Sequence, residues 1–254
     1  MITEQIRIFK QKILGGAVIG SFSKTEDPAI IEAMGYAGFD FVILDLEHGP
    51  NSISSLQGLI RAAQLTQILP IVRIKENNFQ MAAEVLDIGA GGIQIPQVTT
   101  AQEAMAVINA ARYAPEGNRG VCRFVRAADY SSADRFQYFK EANEAIIILQ
   151  IEGSQAMANL ESILKVEGFD VIFIGPYDLS QSMGLTGQID HPRVVGEMER
   201  IVTLCKSKNI AVGTFVDTKE NARRWKNTGT KYIAYSVDTG LMYEKCKEII
   251  KEIG

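Results

Sequence analysis

Two short stretches of this chain, LQIEG at 149–153 and FIGPYDLS at 173–180, each place one carboxylate at the end of an apolar run. A third, LDLEHGP at 44–50, places there one of only two histidines. A hard divalent cation takes oxygen ligands from a few fixed points, and a histidine near an aspartate is the usual proton handler. Glu152, Asp178 and His48 are therefore the candidates for chemistry, with Asp45 three residues before the histidine.

Such residues need a scaffold that gathers strand ends. Short β-branched runs recur along the chain: GGAVIGSF (15–22), FDFVILDL (39–46), LPIVRI (69–74), GGIQIPQV (91–98), AIIILQIE (145–152), FDVIFIG (169–175), IAVGTFV (210–216) and KYIAYSV (231–237). Helix-length amphipathic segments separate them, most closing near a Gly or Asn stop. Near-continuous apolar strands, each followed by a helix, imply parallel pairing buried on both faces. Eight such units predict an α/β fold, a single (β/α)8 TIM barrel with parallel strands over residues 1–254. A doubly wound sheet is the alternative, but the first strand lacks the G-x-G-x-x-G turn of a dinucleotide site.

In a barrel of this kind the active site lies at the C-terminal face. Asp45, Glu47 and His48 after the second strand, Arg73 near the end of the third, Gln97 ending the fourth, Gln150 and Glu152 ending the fifth and Asp178 after the sixth then converge on one rim. Period-two alternation puts Gln150 with Glu152 on one face and Ile71 with Arg73 on one face, while Val72 and Ile74 meet the helices. Lys75 would share the face of Arg73 only if its strand continued, and the polar KENN that follows argues that it stops. The long interval 113–144, rich in Arg, Tyr and Phe, reads as an active-site cover or an interface segment. Its Arg123 and Arg126 would suit an acidic or phosphorylated acceptor if the segment lined the site.

Composition narrows the partners. The net charge of −4 is mild and the cations are scattered, which excludes a nucleic-acid face. Three cysteines without a C-x-x-C pair argue for free thiols and a cytoplasmic location. The N-terminal segment MITEQIRIFKQKI lacks a signal-peptide core, and no apolar stretch reaches the roughly 18 residues of a membrane span, so no membrane partner is expected.

FDFVILDLEHGP, LPIVRIKENN, LDIGAGGIQIPQV, RYAPEGNRGV, LQIEG, IFIGPYDLSQSMG and YSVDTGL, in this order and spacing, resemble the class II pyruvate aldolases of the 4-hydroxy-2-oxoheptanedioate aldolase (HpcH/HpaI) family over nearly the whole chain. The resemblance implies a barrel enzyme in which a Mg, Mn or Co ion holds pyruvate and its enolate during reversible aldol cleavage of 4-hydroxy-2-oxo acids. It implies metal ligation by Glu152 and Asp178, a base at His48 partnered by Asp45, substrate contact by Arg73 and Gln150, and a backbone N–H from Tyr177 to the pyruvate carboxylate. It also implies a homo-oligomer, a hexamer built from dimers. The C-terminal helix GLMYEKCKEIIKEIG has apolar positions that suit a neighbour as readily as its own barrel.

Plainer roles exist for the same residues. Glu152 would serve as an acid at a helix N-terminus, Asp178 as a helix cap, and Arg73 as a rim ion-pair partner. Glu47 shares the phase of Asp45 and suits a supporting role, and His191 beside Asp190 reads as a surface or capping residue. A Schiff-base route would need Lys24 or Lys75, both in polar company that leaves an amine protonated. The expected reaction is pyruvate release from a 4-hydroxy-2-oxo acid. Lyase or decarboxylase action on oxaloacetate or another 2-oxo diacid is the alternative within enzymes, and a non-catalytic barrel binding a small acid is the alternative outside them.

Overall fold

The eight apolar runs form eight strands in the computed structural model, which describes residues 2–75 and 79–254. They are β1 (Val18–Ser23), β2 (Phe41–Asp45), β3 (Leu69–Arg73), β4 (Gly92–Ile95), β5 (Ile146–Ile151), β6 (Val171–Ile174), β7 (Ala211–Val216) and β8 (Tyr232–Val237). Each pairs with the next in parallel and β8 pairs back with β1, so the predicted (β/α)8 barrel is the observed one. An N-terminal helix α1 (Ile2–Gly15) precedes the barrel. The helices that follow are α2 (Pro28–Tyr36), α3 (Ile53–Leu65), α4 (Phe79–Asp87), α5 (Ala101–Ala111), α6 (Arg135–Ala142), α7 (Ser154–Ile163), α8 (Pro176–Ser182), α9 (Pro192–Ser207), α10 (Lys219–Thr228) and α11 (Asp238–Ile253). Asp27, Ser52, Thr100 and Thr218 begin four of these by accepting a first-turn N–H, which satisfies donors that the helix cannot. Among the described residues no helix is long and apolar enough to cross a membrane.

Alternation sorts the strand residues into two cores. Ile43, Ile71, Ile148 and Phe173 fill the lumen, whereas Val72, Ile74, Ile147 and Leu149 pack against the helices. The N-terminal end is plugged by α1: Phe9 meets Phe41 and Tyr232 edge-on, and those two rings stack at 3.9 Å. Gly20 makes room for this plug, since a Cβ there would run into Phe41. With one end closed by aromatic rings, only the C-terminal mouth is left for polar chemistry.

The expectation that residues 113–144 cover the active site fails within the chain. The segment follows α5 rather than β4, so it joins a helix end to the start of β5, at the opposite end of the barrel from the mouth. Its anchors are all at that end. Arg112 donates to the carbonyls of Ala145 and Gly168, Asn143 ties to the backbone of Tyr113, and Arg126 reaches Gln64 and Ile88. Arg119 pairs with Asp87 and lies over the Tyr113 ring. The arginines are thus largely structural here, while Val121, Phe124 and Phe136 remain exposed.

Candidate active site

At the mouth the strands place a charged layer directly above the apolar lumen. Asp45 and Arg73 are register partners on β2 and β3, and their inward phase brings the side chains together. Arg73 donates from Nε and Nη2 to the two oxygens of Asp45 at 2.9 and 2.7 Å, a bidentate and fully buried pair. Its Nη1 lies 3.0 Å from Oε2 of Glu47. Burial works to raise the Asp45 pKa, but the hydrogen bonds and charge of Arg73 outweigh it and hold the carboxyl below its usual range. A guanidinium has five N–H donors, of which two bond Asp45, while Glu47 is held as an ion pair without a hydrogen bond.

Opposite this pair, Glu152 follows β5 and is only 5% exposed. Its Oε2 accepts from Nε2 of Gln150 at 2.5 Å, and its Oε1 accepts the backbone N–H of Gln97 at 2.9 Å. Gln97 has a left-handed backbone, φ 52°, an unfavourable conformation in the turn that brings its N–H to Glu152. Gly175 is required beside it, because a Cβ there would overlap the Glu152 carboxylate. Desolvation pushes the Glu152 pKa up to about 7, and the charges of Asp178 and Glu47 add to the rise against the two hydrogen bonds. Asp178 is in the first turn of α8 and exposed to the mouth. Its neighbour Tyr177 donates its hydroxyl to Asp217 at 2.8 Å. Gly175 caps α8 without a side chain, so no side chain occupies the first-turn N–H groups.

The structure gathers Asp45, Arg73, Gln150, Glu152 and Asp178 at one mouth, and gives Asp45 a partner other than the expected His48. The turn after β2 folds back on Asp45, whose Oδ1 accepts the backbone N–H groups of Glu47 and His48 at 3.0 and 3.3 Å. The carboxylate is therefore occupied by Arg73 and the turn, while the His48 side chain is 60% exposed with Nε2 3.8 Å from Glu47. Three-residue spacing in a tight turn couples the aspartate to the backbone, not to the imidazole. His191 caps α9, with Nδ1 accepting from Arg193. Lys75 is exposed beyond the end of β3, and residues 76–78 of KENN lie outside the described residues.

Two participants, Gln94 and Asp238, are not singled out by the sequence, which offers Lys24 only as a Schiff-base candidate. Gln94 is fully buried in the lumen and donates to Gln150. Alternation in GGIQIPQV would have found it, since it shares the inward phase with Gly92. Lys24 is not a solvated turn residue: its Nζ lies 3.7 Å from Asp45. Asp238 at the start of α11 holds that turn, accepting from the hydroxyls of Ser23 and Thr25 and the backbone N–H groups of Lys24 and Thr25. Burial would raise the Asp238 pKa, yet these hydrogen bonds outweigh it and lower it. A depressed carboxylate contributes stability above its unfolded pKa of about 3.9 and loses it as pH falls through the folded value. Asp238→Asn should therefore cost about 2 kcal/mol at pH 7, with the gap from wild type closing below about pH 4 in denaturant titrations.

Among the described residues no three His, Cys, Asp or Glu side chains form a ready-made metal cage. The donor set still fits a hard cation. Glu152 is buried beside the like charge of Asp178, and the nearest engaged cation, Arg73, is committed to Asp45 and Glu47. Two carboxylates form a sparse oxygen shell with room for substrate and water, which suits Mg or Mn better than a closed calcium cage.

A model of the HpcH/HpaI aldolase/citrate lyase family matches residues 18–244. The chain is 35% identical over 244 residues to a hydroxypyruvate/pyruvate aldolase of Pseudomonas aeruginosa, covering 95% of this chain and 90% of that one. It is 33% identical over 235 residues to a 2-dehydro-3,6-dideoxy-6-sulfogluconate aldolase of Pseudomonas putida, covering 92% and 91%. An HpcH/HpaI aldolase/citrate lyase family protein from Burkholderia cenocepacia J2315 superposes with a TM-score of 0.90 at 28% identity, over 96% of this chain and 98% of that one. With that family model matched over residues 18–244 and relatives at 35% and 33% identity along most of their length, the chain belongs to the HpcH/HpaI aldolase/citrate lyase family and is a carbon–carbon lyase.

Proposed function

We propose that the protein is a metal-dependent aldolase that cleaves a 4-hydroxy-2-oxo acid to pyruvate and an aldehyde. The observation that carries the reading is Glu152, a carboxylate buried beside Asp178 at the mouth and in no ion pair among the described residues. These two would hold a Mg, Mn or Co ion, which when bound supplies Lewis-acid polarisation of the 2-oxo group.

The remaining work falls to the chain. His48, exposed on the turn after β2, takes the proton from the 4-hydroxyl. The O–H electron pair becomes the aldehyde C=O, the C3–C4 bond breaks, and its electrons move toward the 2-oxo oxygen. Arg73 meets that growing negative charge with a guanidinium already fixed by Asp45, so little reorganisation is needed. Gln150 adds an N–H beside it, and the Tyr177 backbone N–H receives the pyruvate carboxylate. A proton from solvent at C3 then completes pyruvate, and His48 returns its proton to solvent.

Chelator should abolish activity and Mg, Mn or Co should restore it, whereas borohydride with pyruvate should leave every lysine unlabelled. Lys24 is the lysine to watch, since it lies closest to Asp45. Its Nζ is paired with a buried carboxylate and not held in an apolar pocket or among other cations, the surroundings that activate an amine nucleophile. Activity in chelator together with pyruvate trapped on a lysine would overturn the reading. Faster turnover of oxaloacetate than of any hydroxy-oxo acid would instead favour decarboxylation.

We also propose a homo-oligomer. Asp238 is the only buried residue of α11, leaving Met242, Ile249 and Ile250 exposed, and Ile19 on the outer face of β1 is 40% exposed where a covering helix is expected. Light scattering at micromolar concentration should give a multiple of 27.9 kDa. A monomeric mass would defeat this. The three free cysteines fit a reducing compartment, the cytoplasm.

A further inference from the structure

We propose that Gln94 is a positioning residue that makes Gln150 an obligatory donor, with one N–H for Glu152 and the other for the 2-oxo oxygen of the substrate. The inference rests on the aldolase reading above. Gln94 stands on β4 between Arg73 of β3 and Ile148 of β5 in register, and its side chain points into the lumen. Its Nε2 donates to Oε1 of Gln150 at 2.6 Å, and Nε2 of Gln150 donates to Oε2 of Glu152 at 2.5 Å.

The direction of this chain of bonds is set at its last member. Oε2 of Glu152 is the acceptor for Nε2 of Gln150, so Gln150 turns its NH2 toward Glu152 and its carbonyl away. That carbonyl would be buried and unpaired unless another group donated to it. Gln94 supplies the donor. Its own Oε1 is buried without a partner, in a lumen otherwise lined by Ile43, Ile71, Ile148 and Phe173. A leucine would fill the same space without the orphaned acceptor, so the advantage of glutamine at this position is the N–H that it gives.

The consequence lies at the mouth. With one N–H on Glu152, Gln150 has a second N–H left for the substrate. Were the amide reversed, it would present its carbonyl to Glu152 and to the substrate oxygen, both acceptors. Glu152 sets the direction, and the N–H of Gln94 on the Gln150 carbonyl supports it before substrate arrives.

The test is a double-mutant cycle of Gln94→Met, Gln150→Met and the double variant. Two quantities are measured: the kcat and KM for pyruvate release, and calorimetric affinity for oxalate, a planar dianion, in saturating Mg. Gln94→Met should lower kcat by about tenfold or more with little change in KM, and weaken oxalate by about tenfold, as for a lost supporting hydrogen bond. In the Gln150→Met background the same change should have no further effect, since Gln94 acts only through Gln150. Wild-type kcat and oxalate affinity in Gln94→Met, or losses that simply add in the double variant, would overturn the proposal. Gln94→Leu replaces the methionine variant if that chain does not fold. Failure of the wild-type enzyme to release pyruvate from hydroxy-oxo acids would count against the aldolase reading instead, and oxalate affinity would still decide the role of Gln94.

Discussion

Glu152→Ala should lose at least about 10³-fold in metal-dependent turnover while keeping a cooperative fold, because Lewis-acid stabilisation worth several kcal/mol is removed and every 1.4 kcal/mol is a factor of ten. Asp178→Ala should match it, since neither carboxylate alone makes a site. Glu152 contributes little to stability that its loss would forfeit. It carries a buried charge next to Asp178, and its partners are one side-chain amide and one backbone N–H. The metal-free Glu152→Gln protein should accordingly melt no lower than wild type, for it keeps the shape and removes the charge. Steady-state assays across a metal titration separate weakened binding from lost chemistry. Either alanine variant retaining a tenth of wild-type activity at saturating metal would rule out the two-carboxylate site.

His48→Ala should lower the cleavage rate by about 10²–10⁴-fold, the usual worth of a positioned general base, and leave oxalate or pyruvate binding intact. The side chain is 60% exposed and its nearest ionic partner is Glu47 at 3.8 Å, so the fold has no stake in it. Unchanged melting with lost kcat is the expected signature. A His48→Ala enzyme that cleaves at the wild-type rate would move the proton to another group, with Glu47 the first to examine, since burial raises its pKa despite the charge of Arg73.

The barrel was legible in the sequence because its causes are local and repeated. Strands buried on both faces are apolar at most positions, and helices are apolar along one stripe, so eight strands and their helices leave a pattern that survives reading in one dimension. The same period of two placed Gln150 with Glu152, and Arg73 with Ile71, on the lumen side before any contact was known. It would have placed Gln94 there as well. The pattern spoke less clearly at 113–144, where α5 ends at Ala111 and the chain has already crossed to the N-terminal end. Length and arginine content resembled a lid, but only the position of the preceding helix decided which end the segment serves.

The partners of the charged residues were a different matter. Asp45 lies three residues from His48 and twenty-eight from Arg73, yet it binds the arginine, because parallel register aligns Asp45 with Arg73 across the lumen edge. Lys24 and Asp238 are separated by 214 positions and meet because the barrel closes β8 onto β1. The sequence by itself determined which side chains face inward and at which strand ends, since alternation is a property of one strand. The tertiary structure alone decided which of them touch, how deeply Glu152 is desolvated and which acceptor each N–H serves, since those depend on how neighbouring strands are staggered and on the closure of the barrel.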